Sequence, residues 1–327
     1  MALATGAKSF VDNPILGSSA LNQRGLHVAR LMLAHRMAWF RRRRLANAVP
    51  TLWREAFDRD GFVEARDFLP TDVFERLRDA FLNTEFDTRQ HQQGNAITRR
   101  VAVTPEILRR VPELRQLIAK PRWRALLAYI GATLSPPIYY IQTIVMGHAD
   151  GTPDPQLELH ADTFHPSLKA WLFLTDVSDD QGPLTYVPGS HLLTAKRLEW
   201  EQQRSVTIHD SDRLSQRGSL RIGPEDLPTL GLPPPHRFAV PANTLVAIDT
   251  SGFHARGSTS RPVVRVEIWA YSRRTPFLPW AGLDPLSPEP LALRRAGWLT
   301  GIVDWLDHWG LKKQHWQPAG RRRPIDP

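Results

Sequence analysis

The stretch Leu159–His191, LHADTFHPSLKAWLFLTDVSDDQGPLTYVPGSH, decides how this chain is read. It opens on His160-Ala161-Asp162. In extended backbone, residues two apart point to one face, so the imidazole of His160 and the carboxylate of Asp162 share a side. Leu168–Val177 then reads as a strand, closed by an acidic turn (Asp176, Asp179, Asp180) and by Gly182-Pro183. A second strand, Leu184–Val187, runs into Pro188-Gly189-Ser190-His191. The glycine permits a tight turn there, and His191 is read as a packing residue rather than a substrate contact. His165, three residues after Asp162, turns away from the Asp162 face toward a substrate mouth or solvent. Trp171 is read as core, with a place in a pocket wall as the alternative.

Further short strands lie outside this stretch: Ile138–Met146, Leu157–His160, Phe238–Val240, Thr244–Ile248 and Val263–Tyr271, bounded by Gly, Pro, Asp and Ser. Upstream the periodicity is helical over Trp53–Arg59, Asp72–Leu82 (with Thr71 as N-cap), Pro105–Leu117 and Arg122–Gly131, and Gly61–Ala65 is extended. Residues 83–100 are polar, rich in Gln and Arg, and read as a mobile loop. Residues 192–236 read as an insertion with a helix near Leu192–Gln202. Helices first, then seven or eight antiparallel strands, then a helix, make an α+β arrangement around a closed or double-sheet barrel.

The 327 residues include no cysteine, so thiolate metal sites, disulfides and cysteine nucleophiles are excluded, and any metal must be held by His, Asp or Glu. About ninety residues after Asp162 comes His254, in Thr250–Gly257 (TSGFHARG), behind a strand that ends at Asp249. Two neutral imidazoles and one carboxylate on one face of an octahedral ion form the facial triad of non-haem Fe(II) oxygenases. Three positions stay open, two for a 2-oxo acid and one for O2. Chelated 2-oxoglutarate would also need a buried cation for its distal carboxylate. Arg265, eleven residues after His254 in Arg261–Trp269 (RPVVRVEIW), offers a two-pronged donor. Arg261 competes but precedes Pro262 and is expected in the turn; no lysine occurs between Lys196 and Lys312.

Leu159–His191, with His254 and Arg265, resembles the phytanoyl-CoA dioxygenase family of Fe(II)/2-oxoglutarate oxygenases, over roughly residues 55–275. The resemblance implies a double-stranded β-helix (a jelly-roll or cupin-like barrel) with flanking helices. It implies iron ligation by His160, Asp162 and His254, and 2-oxoglutarate held by Arg265. Gln142 resembles a glutamine that contacts the co-substrate in relatives. Related halogenases lack a carboxylate at the position of Asp162, leaving room for chloride, so Asp162 favours hydroxylation. Family members act on acyl thioesters, amino-acid derivatives and alkaloid-like molecules, so substrate is not specified.

The formal charge of +9 is uneven: residues 1–54 carry +8, residues 294–327 carry +4, and residues 55–293 carry −3. Three units are expected: a basic amphipathic arm (1–54), the dioxygenase domain (55–275), and a Trp-rich basic helix and loose tail (276–327). The acidic body argues against nucleic acid as a partner. Leu26–Val49 suits either a helix packed on the body with a solvated arginine run or a basic helix at an anionic membrane surface. Trp298, Ile302, Trp305, Leu306 and Trp309 form a stripe suited to a membrane interface, a core or a dimer contact. The substrate is therefore expected to be a small molecule or a lipid- or glycan-linked one, with peripheral contact at the inner membrane face and an open oligomeric state. A non-catalytic barrel binding an anionic membrane is the rival. No run of 18 apolar residues occurs, and Met1–Gly17 lacks the order of a secretory signal, so a cytoplasmic protein is expected.

Overall fold

In the computed structural model, which describes residues 5–147, 152, 154–285 and 287–327, the chain begins with helices α1 (Ser19–Gln23), α2 (Leu26–Leu45) and α3 (Thr51–Asp60). Strand β1 (Phe62–Ala65), helix α4 (Thr71–Leu82) and the hairpin β2 (Phe86–Gln93) and β3 (Ala96–Ala102) follow. Helices α5 (Pro105–Arg110), α6 (Pro112–Ala119) and α7 (Pro121–Gly131) each begin on proline, whose fixed φ and missing N–H suit a first turn. The single helix expected over Pro105–Leu117 is therefore two. Pro112 pushes Val111 to φ −127°, out of helical geometry.

The barrel comes next: β4 (Ile138–Met146), β5 (Leu168–Phe173), β6 (Leu184–Tyr186), helices α8 (Ala195–Val206) and α9 (Arg213–Gln216), β7 (His236–Arg237), β8 (Leu245–Asp249), β9 (His254–Arg256) and β10 (Val263–Ser272). Helices α10 (Glu289–Ala292) and α11 (Arg295–His308) and strand β11 (Gln317–Arg322) end the chain. Eight strands form one antiparallel sheet in the order β1-β8-β5-β10-β4-β3-β2-β11, and three form a second, β7-β6-β9. Trp171, Phe173 and Trp269 of the large sheet meet Leu184 and Tyr186 of the small one in a single apolar cluster. The alternate residues Ala170, Leu172 and Ile268 pack on α3 to α7 instead. β5 is thus buried on both faces, which is why it reads as a nearly unbroken apolar run. The architecture is α+β, a double-stranded β-helix with flanking helices.

Residues 83–100 are not a loop. Most of them form the β2–β3 hairpin, which pairs onto β4 with Arg100 opposite Gln142 and Ala96 opposite Met146. Their polarity misleads because several of them, Thr98 and Arg100 included, line a polar cavity rather than bulk solvent. Nor is the C-terminal tail loose. Arg321 and Arg322 lie in β11, paired with Asp87 and Phe86 of β2. Beyond it, Arg99 donates to the carbonyls of Asp326 (2.8 Å) and Pro327 (3.1 Å), and Thr143 to that of Pro324 (2.8 Å).

The arginine run on α2 is only half solvated. Arg41 is buried and donates to the carbonyls of Ala132 (2.8 Å), Pro276 (3.3 Å) and Leu278. Arg42 reaches the carbonyls of Tyr129 (3.2 Å) and Ile130 (2.7 Å), and Asp249 (2.8 Å). The carbonyls of Tyr129, Ile130 and Ala132 belong to the last turn and cap of α7, where the helix leaves acceptors unfilled and favours a positive charge. Arg43 and Arg44 stay exposed. Among the described residues no helix is long and apolar enough to cross a membrane.

Candidate metal centre

His160 stands just outside a regular strand, and an isolated antiparallel bridge ties it to His254 at the start of β9. The amide of each donates to the carbonyl of the other at 3.0 Å. This bridge brings two distant sequence positions side by side, with ring centroids 4.7 Å apart. Asp162, two residues on, is pinned by its own amide to the carbonyl of Thr250 (2.9 Å). Its Oδ1 lies 3.7 Å from Nε2 of both histidines. The ligand atoms of His160, Asp162 and His254 all fall within 4.8 Å of one another.

Nδ1 of His160 faces the carbonyl of Glu158 (2.7 Å), and Nδ1 of His254 faces that of Gly252 (3.0 Å). A carbonyl only accepts, so each Nδ1 carries the proton and each Nε2 turns a bare lone pair to the centre. Nε2 of His254 is buried with no hydrogen-bond partner. Burial lowers His160 to about 3, helped by His254, and lowers His254 to about 4, so both rings are neutral near pH 7. Burial would raise the Asp162 carboxyl, but the Lys169 ammonium beside it holds it well below the usual carboxylate range. Lys169 sits 2.7 Å from Oδ2, which leaves Oδ1 to the histidines. Two neutral nitrogens and one carboxylate oxygen are the donor set that suits Fe(II).

The cavity over this centre holds about 240 Å³. Arg265 on β10 lines it, buried, with Nε on Glu267 (3.0 Å) and Nη1 on the carbonyl of Gly182 (2.8 Å). Gly182 has φ +63°, and a Cβ there would come within 2.8 Å of the carbonyl oxygen of Gly257, so only glycine presents this carbonyl. Arg261 lies outside the cavity, exposed, paired with Asp180 at 2.6 Å. Gln142 lines the cavity with both ends engaged, its Oε1 accepting from Arg100 (2.7 Å) and its Nε2 donating to Glu267 (2.6 Å).

Residues 57–219 match the family described as Phytanoyl-CoA dioxygenase (PhyH). This chain belongs to the phytanoyl-CoA dioxygenase family. Among solved structures it is similar to the epimerase SnoN in complex with Fe3+, alpha ketoglutarate and nogalamycin RO, at 22% identity and TM-score 0.44 over 72% of this chain and 92% of that one. It is also similar to HygX from Streptomyces hygroscopicus with nickel and 2-oxoglutarate bound, at 17% identity and TM-score 0.42 over 73% and 93%. AviO1 from Streptomyces viridochromogenes Tue57 matches at 19% identity and TM-score 0.42 over 72% and 96%. No curated protein matches the chain.

In this member of the phytanoyl-CoA dioxygenase family, the sequence reading missed the charged residues around the triad. Lys169 shares the inward face of β5 with Trp171 and Phe173, and strand alternation alone would have found it. Glu267 and Arg256 also line the cavity; Glu267 pairs with Arg265, and Arg256 with Asp154 at 2.6 Å. Trp171 does line the cavity. His191 packs against Phe57 with ring centroids 5.6 Å apart, and His165 is buried rather than open to solvent.

Proposed function

We propose that this chain hydroxylates an unactivated C–H bond of a small-molecule substrate, using Fe(II), 2-oxoglutarate and O2 and releasing succinate and CO2. The observation that carries this reading is the convergence of His160, Asp162 and His254, with ligand atoms within 4.8 Å and a bare, buried Nε2 on His254. The ferrous ion, when bound, supplies the oxygen chemistry at the positions the protein leaves open.

The remaining work belongs to the chain's own side chains. The carbonyls of Glu158 and Gly252 fix the tautomers, so no proton has to leave a ring before the metal enters. Lys169 holds Oδ2 of Asp162, so that carboxylate offers one oxygen. A carboxylate at position 162 occupies the place a halide would need, which favours hydroxylation over halogenation. Arg265 grips the distal carboxylate of 2-oxoglutarate, with its guanidinium held in place by Glu267 and the Gly182 carbonyl. Gln142 acts through Arg100 and Glu267, whose side chains it bridges.

The rival membrane-binding reading loses support, because Arg30, Arg41 and Arg42 are spent on backbone carbonyls and Asp249. Protein loaded anaerobically with Fe(II) and 2-oxoglutarate is to be exposed to labelled O2 and a panel of small molecules. Substrate-stimulated succinate release with label in the product is the expected result. Substrate-dependent turnover that leaves the product unlabelled would refute hydroxylation. Failure to bind Fe(II) would refute the metal centre itself.

A further inference from the structure

A second chamber adjoins the metal cavity, and the two share Arg100 and Trp316 in their walls. The metal cavity, at about 240 Å³, is smaller than the roughly 300–1,000 Å³ of ordinary ligand pockets, even before 2-oxoglutarate is seated. The adjoining chamber holds about 460 Å³. Its floor continues the inner face of the large sheet, with Ala102 beside Tyr140 in register. Its roof is α11, which lines it with Gly297, Thr300 and Gly301. A Cβ added at Gly297 or Gly301 would meet nothing within 4 Å, so the helix leaves room beneath it.

At the threshold stands Arg100, its guanidinium 4.0 Å from the ring centre of Trp269 and 4.4 Å from that of Trp316. Four cations line the metal cavity. Lys169 is paired with Asp162, Arg256 with Asp154 and Arg265 with Glu267. Among the described residues Arg100 has no carboxylate at ion-pair distance, and its one hydrogen bond runs from Nε to Gln142 (2.7 Å). Fe(II) and the 2-oxoglutarate dianion carry equal and opposite charge, so seating both leaves Arg100 uncompensated. A partly buried cation without a counter-ion is costly, and a guanidinium fork fits a pair of anionic oxygens.

We propose that the chamber beneath α11 is a distal substrate subsite and that Arg100 is its anion-recognising residue. The substrate is an elongated organic anion: its charged group sits on Arg100, its body lies under α11, and its reacting carbon reaches into the metal cavity. Only the placement of the reacting carbon rests on the proposed oxygenase function. The recognition itself does not.

The test is dye binding to the full chain without iron, using two probes of one aromatic body: anionic anilinonaphthalene sulfonate and neutral phenylnaphthylamine. Arg100→Met is expected to weaken the sulfonate about tenfold or more, as loss of a charge-assisted contact should, and to leave the neutral dye within about twofold. Arg100→Lys keeps most of the sulfonate binding. Gly301→Leu, which fills the chamber, weakens both dyes. The proposal is overturned if Arg100→Met leaves the sulfonate unchanged or weakens both dyes alike. It is equally overturned if Gly301→Leu has no effect, or if the sulfonate is lost on Trp305→Gln, on the exposed outer side of α11. The charge-transfer band of the ferrous 2-oxoglutarate complex is read on the same proteins. Its loss in Arg100→Met with sulfonate binding intact would assign Arg100 to the co-substrate and overturn the proposal. Its absence from the parent protein would count against the oxygenase reading alone, and the dye result would still decide the subsite.

Discussion

Replacing Arg265 with Met separates two roles that this guanidinium combines. Glu267 is fully buried and has two partners, Nε of Arg265 (3.0 Å) and Nε2 of Gln142 (2.6 Å). Removing the cation leaves the carboxylate with a single neutral donor. Stripping one member from a buried ion pair costs about 3–5 kcal/mol. The same change removes the proposed clamp on 2-oxoglutarate. A hydrogen bond to a charged group is worth about 1.5–3 kcal/mol, so affinity for the co-substrate should fall about 10- to 150-fold. The double variant Arg265→Met/Glu267→Gln removes the stranded charge and should recover most of the stability, but none of the affinity. Urea midpoints at constant m-value report the first quantity. Anaerobic titration of the Fe(II)-loaded protein with 2-oxoglutarate reports the second. A double variant with parental affinity would place the distal carboxylate elsewhere. A single variant as stable as the parent would show that the buried pair contributes none of the stability assigned to it.

Three other outcomes are expected. Asp162→Ala should lower Fe(II) affinity by more than about a hundredfold in anaerobic calorimetry, because it removes the one anionic ligand and leaves Lys169 unpaired beside the site. Arg41→Met should cost about 2–4 kcal/mol in urea denaturation, since it strips donors from the carbonyls of Ala132, at the end of α7, and of Pro276, whereas Arg43→Met on the exposed side should stay within about 0.5 kcal/mol. Acid stability should depend on Glu201. Burial would raise its carboxyl, but Arg197 and His27 bring it down to about 2 from an ordinary 4.5. The unfolded chain therefore binds the proton first, and stability falls as pH drops from 4.5 toward 2. Urea midpoints of Glu201→Gln should be flatter than those of the parent across that window, and parallel curves would contradict the assignment.

What the sequence discloses here is local periodicity joined to chemistry. β4 occupies the residues its β-branched and aromatic run predicts, Ile138–Met146, because apolar side chains fill most positions on both its faces. His160 and Asp162 show as a pair because extended backbone puts them two residues apart on one side. The β2–β3 hairpin escapes notice for the opposite reason. The strand rule needs one apolar face, yet Thr98 and Arg100 line a polar cavity and Arg99 is spent on the C-terminal carbonyls. The arginine run of α2 fails similarly. A string of charges carries no sign of its acceptors, and these lie some 90 to 240 residues further along the chain.

The placement of charge divides chemistry from selection. Three of the four cations that line the metal cavity have a built-in acid: Lys169 has Asp162, Arg265 has Glu267, Arg256 has Asp154. Such pairs hold side chains in place, and of the three only Arg265 is proposed to take a further anion, the co-substrate. Arg100 is the exception among the cavity's cations, and the surfaces that confine it come from Trp269 of the barrel and Trp316 of the C-terminal segment. The family match ends at residue 219, so Trp316 and α11 lie outside it. Within the matched stretch His160 and Asp162 supply two of the three metal-ligand candidates, and one backbone bridge recruits His254 from beyond it. If selection resides where the charge is unbalanced, exchanging α11 and the Trp316 segment with those of another family member should change which anion is accepted and leave Fe(II) binding intact. A swap that abolished Fe(II) binding in a folded protein would show that the two chambers are not separable.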